Sequence, residues 1–303
     1  MSNNTLWREL RQTLLRSDRM VTQLIAVNVV IFLAINLVRL VFWLSGNGLD
    51  PVYYKEFLGV PSNLNILLRQ PWTLVTSLFT QGEVMHILFN MLVLYWFGKI
   101  LTEFLGNRKI LPLYLLGGLC GVILFIVSYQ VFPVFNASVP DARAWGASAS
   151  VMAIMIAAAT LVPDYSMMLV FFGPVKIKWI ALFTVVLDLV SIPSSNAGGH
   201  IAHIGGALFG FVFIRQLQQG RDFSNGVNWC FDKVADLFKP TSALKVTYRT
   251  KEKNTKTKRK KLIPQPSQQE KLDSILDKIA VSGYEALSKE EKEFLFLVSK
   301  EDS

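Results

Sequence analysis

The chain has 303 residues, of which 51% are hydrophobic, and a formal net charge of +9. The apolar residues are concentrated in runs of about 20, the length that crosses a bilayer core as a helix, which excludes an ordinary soluble domain. Much of the excess positive charge lies outside those runs, in the block RTKEKNTKTKRKKL at 249–262. This placement indicates contact with anionic lipid head groups and argues against a nucleic-acid partner.

Six apolar segments predict an all-α integral membrane protein with six transmembrane helices. The first follows an arginine-rich segment, residues 1–20, and lacks a persuasive signal-peptide cleavage site, so we expect it to remain in the protein. Residues 46–83 contain only short apolar pieces, which favours helices lying at the membrane surface. The predicted spans cover residues 21–45, 84–105, 109–133, 147–163, 168–192 and 201–218.

Most basic residues near the ends of the predicted spans fall on one side of the bundle. They include the N-terminal segment, NRK at 107–109, KIK at 176–178 and the block at 249–262, whereas the opposite loops hold Lys55, Arg69 and Arg143. Because basic loops are retained in the cytoplasm, we expect both termini to be cytoplasmic in a multi-pass protein of the bacterial inner membrane. The second, fourth and sixth spans then all begin at the outer face.

The apolar spans end after the membrane domain, which we place at residues 21–218. Residues 219–268 are predicted to form a basic segment and linker, with an amphipathic helix near 229–238. Residues 269–303 carry apolar positions at helical spacing on both sides of a glycine, which predicts a small cytoplasmic helical hairpin. The SKEE sequence at 288–291 has the spacing of a capping box for the second helix of that hairpin.

The three histidines of the chain and a serine fall at the outer ends of three predicted spans. His86 begins the second span, Ser148 the fourth, and His200 and His203 the sixth. Ionisable side chains inside a membrane are costly and are functional candidates by default. A serine becomes a nucleophile when an imidazole within hydrogen-bond reach takes its proton, and His203 could act as that base for Ser148.

The surroundings of Ser148 favour the same chemistry. A helix that begins at this serine offers N–H groups to the oxyanion of a tetrahedral intermediate. His86 and Asn90 are four residues apart and share one helix face, so both could donate to that oxyanion. Gly206 and Gly210 have the small-xxx-small spacing of close helix contacts, which would bring the sixth span against the fourth.

Three short sequences carry a family resemblance. HILFNM at 86–91, GASA at 146–149 and AHIGGALFG at 202–210, in this order within six spans, resemble the rhomboid intramembrane serine proteases. The resemblance covers residues 20–218 and implies a six-helix rhomboid-like bundle. It also implies a protease that cuts transmembrane proteins in or near their membrane segment through an acyl-enzyme.

The resemblance assigns a role to each candidate residue. Ser148 is the implied nucleophile and His203 its base, while His86 and Asn90 stabilise the oxyanion. Proteases of this family use a serine–histidine dyad without an acid, so we expect neither a cofactor nor a metal.

The sequence departs from the family pattern at three positions. The motif around the nucleophile usually reads glycine-x-serine-glycine, whereas Ala149 follows Ser148 here. Met152 stands where many bacterial members have a tyrosine stacked on the base, and Thr73 follows Trp72 where an arginine is common. Since Ala149 adds one carbon beside the nucleophile, we expect an altered rate or preference and retained activity.

Two other functions stay open. One is an inactive rhomboid-like protein that binds transmembrane helices, for which Ala149 is the sequence support. The other is a histidine-lined metal-binding membrane protein, since His86, His200 and His203 are a possible zinc set. Neither an H-E-x-x-H sequence nor a carboxylate in PSSNAGGHIAHIGG accompanies those histidines.

Three nearby polar residues have structural interpretations. Ser150 lies about 200° around the helix from the nucleophile, so we interpret it as a packing residue. His200 is interpreted as a solvated or gating loop residue. Asn90 could serve as an interhelical hydrogen-bonding residue as well as an oxyanion donor.

Overall fold

The computed structural model describes residues 20–46, 52–193, 196–238 and 268–301. The predicted N-terminal segment and most of the predicted basic linker lie outside these residues. The chain divides into two compact units, one within residues 1–240 and the other within 241–303. The helices of the first unit are α1 Met20–Leu44, α2 Val52–Leu58, α3 Leu64–Arg69, α4 Thr73–Thr76, α5 Val84–Leu105, α6 Ile110–Val131, α7 Ser148–Leu161, α8 Ile177–Ser191, α9 Ala197–Gln218 and α10 Ser224–Phe238.

Two short antiparallel strand pairs connect these helices. The pairs are β1 Val60–Pro61 with β2 Arg143–Ala144, and β3 Ser166–Leu169 with β4 Gly173–Lys176. The first pair ties the short helices that follow α1 to the segment that leads into α7. The last helix of the unit, α10, contains the amphipathic helix that the sequence predicts and begins five residues before it.

Four helical segments among the described residues are long and apolar enough to cross a membrane. They are Met20–Leu44, Val84–Leu105, Asn107–Val131 and Ala197–Gln218. The chain is therefore a mostly helical, multi-pass integral membrane protein. The predicted count of six spans is not confirmed, because α7 has 14 residues and α8 has 15, fewer than the roughly 20 that span a bilayer core.

The predicted start of the fifth span is wrong. Residues 168–176, placed in that span, belong to the β3–β4 hairpin, and the helix α8 begins only at Ile177. Gly173 has a φ of +70°, in the left-handed region, and Pro174 follows it. A proline lacks the N–H that a continuing helix needs and disfavours helical geometry in the residue before it, so the helix starts after this pair.

Most of α7 is buried, between α6 and α9, and small residues allow the close contact. A Cβ added to Gly206 would lie 2.1 Å from the carbonyl oxygen of Ala149, and one added to Gly210 would lie 2.2 Å from that of Ala153. On the opposite side, a Cβ added to Gly121 of α6 would lie 2.6 Å from the Cβ of Ala149. The predicted packing of Gly206 and Gly210 against the fourth predicted span is confirmed.

Replacing Gly206 by alanine is expected to destabilise the membrane unit by about 1–3 kcal/mol, because the new methyl group can only be accommodated by moving the α7 backbone. The matched control is Gly226→Ala in α10, where a Cβ meets no atom within 4 Å. Denaturant unfolding of both variants in detergent micelles measures the difference. Equal stabilities for the two variants would contradict the close packing.

The second unit contains two helices joined by a short 3-10 turn. These elements are α11 Gln268–Ser282, the turn Tyr284–Ala286 and α12 Lys289–Glu301. The backbone N–H of Ser288 donates to the Glu291 carboxylate at 2.7 Å, and the N–H of Glu291 donates to Ser288 Oγ at 3.3 Å. This reciprocal pair is the capping box that the sequence predicts. Ile275 and Leu287 are the buried residues of this small unit among those described.

Candidate active site

Ser148 is the first residue of α7 and follows a sharp change in chain direction. Gly146, between β2 and α7, has a φ of +133°, which side chains rarely allow, and its N–H donates to the carbonyl of Ser77 at 2.8 Å. The first N–H groups of a helix have no partner within that helix and carry a partial positive charge. The local sequence thus places a hydroxyl beside an anion-favouring helix end.

Ser148 and His203 lie within hydrogen-bond distance. The Oγ of Ser148, on α7, is 2.7 Å from the Nε2 of His203, on α9. On the other side of the ring, His203 Nδ1 is 2.8 Å from the Oδ1 of Asp188, on α8. An ionised carboxylate can only accept, so Nδ1 carries the proton and Nε2 is left as an acceptor facing the hydroxyl.

The structure places beside these histidines a carboxylate that the sequence analysis does not assign to the site. Asp188 is buried and lies 12 residues before His200, outside the PSSNAGGHIAHIGG stretch. A signal was present in the sequence, because Asp188 is the only acidic residue of the apolar α8. An isolated carboxylate in such a helix is a functional candidate.

His200 also contacts Asp188, and its predicted loop position is wrong. The helix α9 begins at Ala197, so His200 lies in its first turn, on the same side as His203. The Nδ1 of His200 is 2.7 Å from Asp188 Oδ1, the oxygen that His203 also contacts. The two imidazole rings meet edge to face with centroids 5.8 Å apart.

His86 faces the same small space as the serine hydroxyl. A Cβ added to Gly146 would lie 3.4 Å from His86 Cε1 and 3.5 Å from Ser148 Oγ. The imidazole and the hydroxyl therefore flank this glycine from two helices, α5 and α7.

Asn90, one turn further along α5, takes part in a buried polar network. Its Nδ2 donates to Gln81 Oε1 at 2.9 Å, and Gln81 Nε2 donates to Asn28 Oδ1 at 3.0 Å. Gln81 lies in the segment between α4 and α5, so it links Asn90 indirectly to Asn28 of α1, and the hydrogen bond of Asn90 itself joins a helix to a loop. The amide nitrogen carries two hydrogens, and Asn90 also lines a cavity together with Ser148.

Ser148 and His203 line two cavities. The first, of about 370 Å³, is here called the polar cavity; it is lined by His86, Arg143 and Asn196 among others. The second, of about 270 Å³, is the apolar cavity. Its lining includes Trp96, Met152, Met155, Ile180 and Asp188. Ser148 and His203 thus lie where a water-accommodating space meets one suited to an apolar side chain.

The residues next to Ser148 have distinct surroundings. Ala149 is buried with its Cβ against Gly121, on the α6 side of the helix. Ser150 is fully buried with its Oγ against Gly118, and among the described residues this hydroxyl has no hydrogen-bond partner. Ser150 therefore packs, as its helical position predicts, and Met152 lines the apolar cavity.

Comparison with known proteins finds two matching families and several relatives. Residues 68–219 match the family model of the Rhomboid domain, and residues 264–301 match a family of unknown function (DUF6576). The chain is 31% identical over 158 residues to RHOMBOID-like protein 12, mitochondrial, of Arabidopsis thaliana, which covers 49% of this chain and 47% of that protein.

Two animal proteins are also similar. Presenilin-associated rhomboid-like protein A, mitochondrial, of Danio rerio is 34% identical over 144 residues, 46% of this chain and 36% of that protein. Presenilin-associated rhomboid-like protein, mitochondrial, of Homo sapiens is 27% identical over 208 residues, 65% of this chain and 48% of that protein. The chain spans less than half of the length of these curated relatives.

Proposed function

The chain belongs to the rhomboid family, and from that premise we propose that it is an intramembrane serine protease that cuts transmembrane proteins within or near their membrane segment. The observation that carries the proposal is the 2.7 Å contact between Ser148 Oγ and His203 Nε2 at the start of a buried helix. A hydroxyl and an accepting imidazole nitrogen at this distance can exchange a proton directly.

The reaction follows from this contact. His203 Nε2 takes the proton of Ser148 as Oγ attacks a peptide carbonyl, and the resulting oxyanion is held by N–H groups at the start of α7, by His86 and by Asn90. His203 then gives its proton to the leaving amine, and an acyl-enzyme remains on Ser148. A water molecule from the polar cavity transfers a proton to His203 and attacks the ester, which releases the acid and restores the serine.

Asp188 acts as a positioning residue in this mechanism. Its Oδ1 accepts the hydrogen bond of His203 Nδ1 at 2.8 Å, which holds the imidazole in the tautomer whose Nε2 can accept a proton. When His203 becomes protonated, the buried carboxylate stabilises the new positive charge. The proposed machinery is therefore a Ser148–His203–Asp188 triad, where the sequence predicts a dyad.

The substrate must present an accessible carbonyl to Ser148. An intact helix keeps its backbone groups in intrahelical hydrogen bonds, so transmembrane segments with glycine or other helix-weakening residues near the membrane boundary are the favoured substrates. The apolar cavity, with Met152, Met155 and Trp96, would accept an apolar side chain next to the cut bond.

We place Ser148 near the non-cytoplasmic face of the membrane and both termini in the cytoplasm. Lys109, Lys176 and Lys178 support this orientation, since they lie at the opposite ends of the helices from Ser148, where basic residues face the cytoplasm. The relatives named above are mitochondrial proteins, so they do not support the bacterial inner membrane that the sequence analysis expects, and the charge pattern supports the orientation alone. The basic block at 249–262, outside the described residues, would contact anionic lipid.

The two alternatives receive less support. The hypothesis of an inactive helix-binding protein rests on Ala149. The Cβ of Ala149 lies against Gly121 of α6, so the extra carbon packs against a neighbouring helix, which favours the protease. A zinc set of three histidines would need His86 beside His200 and His203. Among the described residues, the cluster with metal-ligand spacing contains Asp188 in place of His86.

A fluorophosphonate is expected to react once per chain, at Ser148, because this reagent requires a serine activated by a neighbouring base. Purified protein in proteoliposomes is incubated with a glycine-containing transmembrane substrate, and cleavage and the mass of the Ser148 peptide are measured in parallel. Cleavage should stop in step with modification and should be unaffected by a chelator. Continued cleavage by fully modified protein would overturn the proposal.

A further inference from the structure

A cluster of three potential metal ligands surrounds the proposed base. Asp188 on α8 and His200 and His203 on α9 each offer one ligand atom, and these atoms all lie within 4.8 Å of one another. We propose that Asp188, His200 and His203 form a zinc site whose occupation switches the protease off. The inhibitory part of this inference rests on the proposed function; the binding part does not.

The geometry needs little change to hold the ion. Both imidazole Nδ1 atoms converge on one carboxylate oxygen, at 2.7 Å for His200 and 2.8 Å for His203. Zinc bound tetrahedrally at about 2.0–2.2 Å from each ligand would separate these atoms to about 3.3 Å. Two nitrogens and one oxygen, with a fourth position left for water, are a ligand set that zinc accepts in proteins.

A second observation points to the same ligand. The side chain of Asp188 is 8% exposed, and among the described residues its Oδ2 is buried without a hydrogen-bond partner. A buried carboxylate oxygen without a partner is costly, and a cation is a stronger partner for it than a hydrogen-bond donor. Zinc between the two imidazoles could bind Oδ1, Oδ2 or both.

The ion has a route to the cluster. The side chains of His200 and His203 are 21% and 19% exposed. Gly199 and Asn196, beside them at the start of α9, line the polar cavity together with His203. Ions can therefore reach the His203 imidazole through the polar cavity, which is also the proposed source of the catalytic water.

Zinc on His203 would remove the base. A neutral imidazole has one protonated and one unprotonated nitrogen, so a metal on Nδ1 fixes the proton on Nε2. Nε2 then donates to Ser148 Oγ and can no longer take its proton. Zinc also replaces the Asp188 hydrogen bond that holds the imidazole in its catalytic tautomer.

Binding is tested first, without any need for activity. The full chain with Ser148→Ala, with Cys120 and Cys230 replaced by serine and with a histidine-free tag, is titrated with Zn²⁺ against a chromogenic chelator in detergent. We expect one ion per chain, and His200→Gln should weaken binding by at least about tenfold, since even partners outside the ligand set typically change metal affinity about 10–100-fold. The matched control is His86→Gln, at the same end of the bundle, which should bind as its parent does.

Inhibition is tested on protein with Ser148 intact. Zinc should stop cleavage, EDTA should restore it, and the zinc concentration for half-inhibition should rise at least about tenfold in His200→Gln, with each protein normalised to its own activity in EDTA. Two results would overturn the zinc site. One is equal zinc binding by the His200→Gln and His86→Gln proteins, and the other is no zinc binding by the parent protein from which both are made. If the protein with Ser148 intact shows no protease activity but binds zinc in a manner that depends on His200, the proposed function is contradicted and the zinc site is supported.

Discussion

Ser148→Ala is expected to lower kcat/KM for a transmembrane substrate by at least about 10⁴-fold, because the acyl-enzyme can no longer form. The hydroxyl removed is the one that lies 2.7 Å from His203 Nε2. His203→Ala should have an effect of similar size. Since the two residues act as a unit, the double variant should be no slower than either single variant.

The chain offers a matched control two residues away. Ser150→Ala makes the same chemical change in the same helix, at a fully buried hydroxyl that has no hydrogen-bond partner among the described residues. This variant should retain activity within about twofold, because it removes no proton acceptor or donor from the site. Cleavage that survives in Ser148→Ala and is lost in Ser150→Ala would identify Ser150 as the nucleophile and contradict the proposed triad.

Asp188→Asn is expected to lower kcat by about 10²–10⁴-fold while KM changes little. The asparagine amide can donate a hydrogen bond to His203 Nδ1, which favours the tautomer with its proton on Nε2 and leaves no base for the serine. Fluorophosphonate labelling of Ser148 should slow to a similar degree. Steady-state kinetics in proteoliposomes and the labelling rate measure the two effects independently.

The control for this substitution is Asp164→Asn. Hydrogen bonds from Lys178 and Lys176 lower the pKa of Asp164 to about 2, so it is also an ionised aspartate at neutral pH, but it lies on the exposed loop before β3. Its replacement should leave kcat unchanged. If Asp188→Asn lowers activity only in proportion to a loss of folded protein, Asp188 has a structural role and does not position the base.

The pairing of Ser148 with His203 could be predicted from the sequence because two independent patterns agree on it. The alternation of spans puts the starts of the second, fourth and sixth at one face, and the glycines of GGALFG predict the contact that brings α9 against α7. Both patterns are local in the chain, so neither needs the tertiary structure. The result is the observed pairing of Ser148 with His203.

Asp188 and the β3–β4 hairpin could not be found in the same way. Whether Asp188 faces His203 depends on how α8 packs against α9, and the hydropathy of the sequence does not indicate that packing. Hydropathy alone predicts a span at the hairpin, because a run such as Met167 to Phe172 is equally apolar as a strand or as a helix, and only Gly173 and Pro174 mark the difference.

The hairpin also bears on the thickness of the surrounding bilayer. A two-stranded sheet leaves N–H and C=O groups at both edges, which need water or protein around them and exclude the hairpin from hydrocarbon. In the proposed orientation, α8 would therefore cross the membrane with only 15 residues, or about 22 Å at about 1.5 Å per residue, against a hydrocarbon core of about 30 Å. Such hydrophobic mismatch thins the lipid beside a short helix. For the proposed protease, a transmembrane substrate beside α8 and the apolar cavity would then have more of its length in water than it has elsewhere in the membrane.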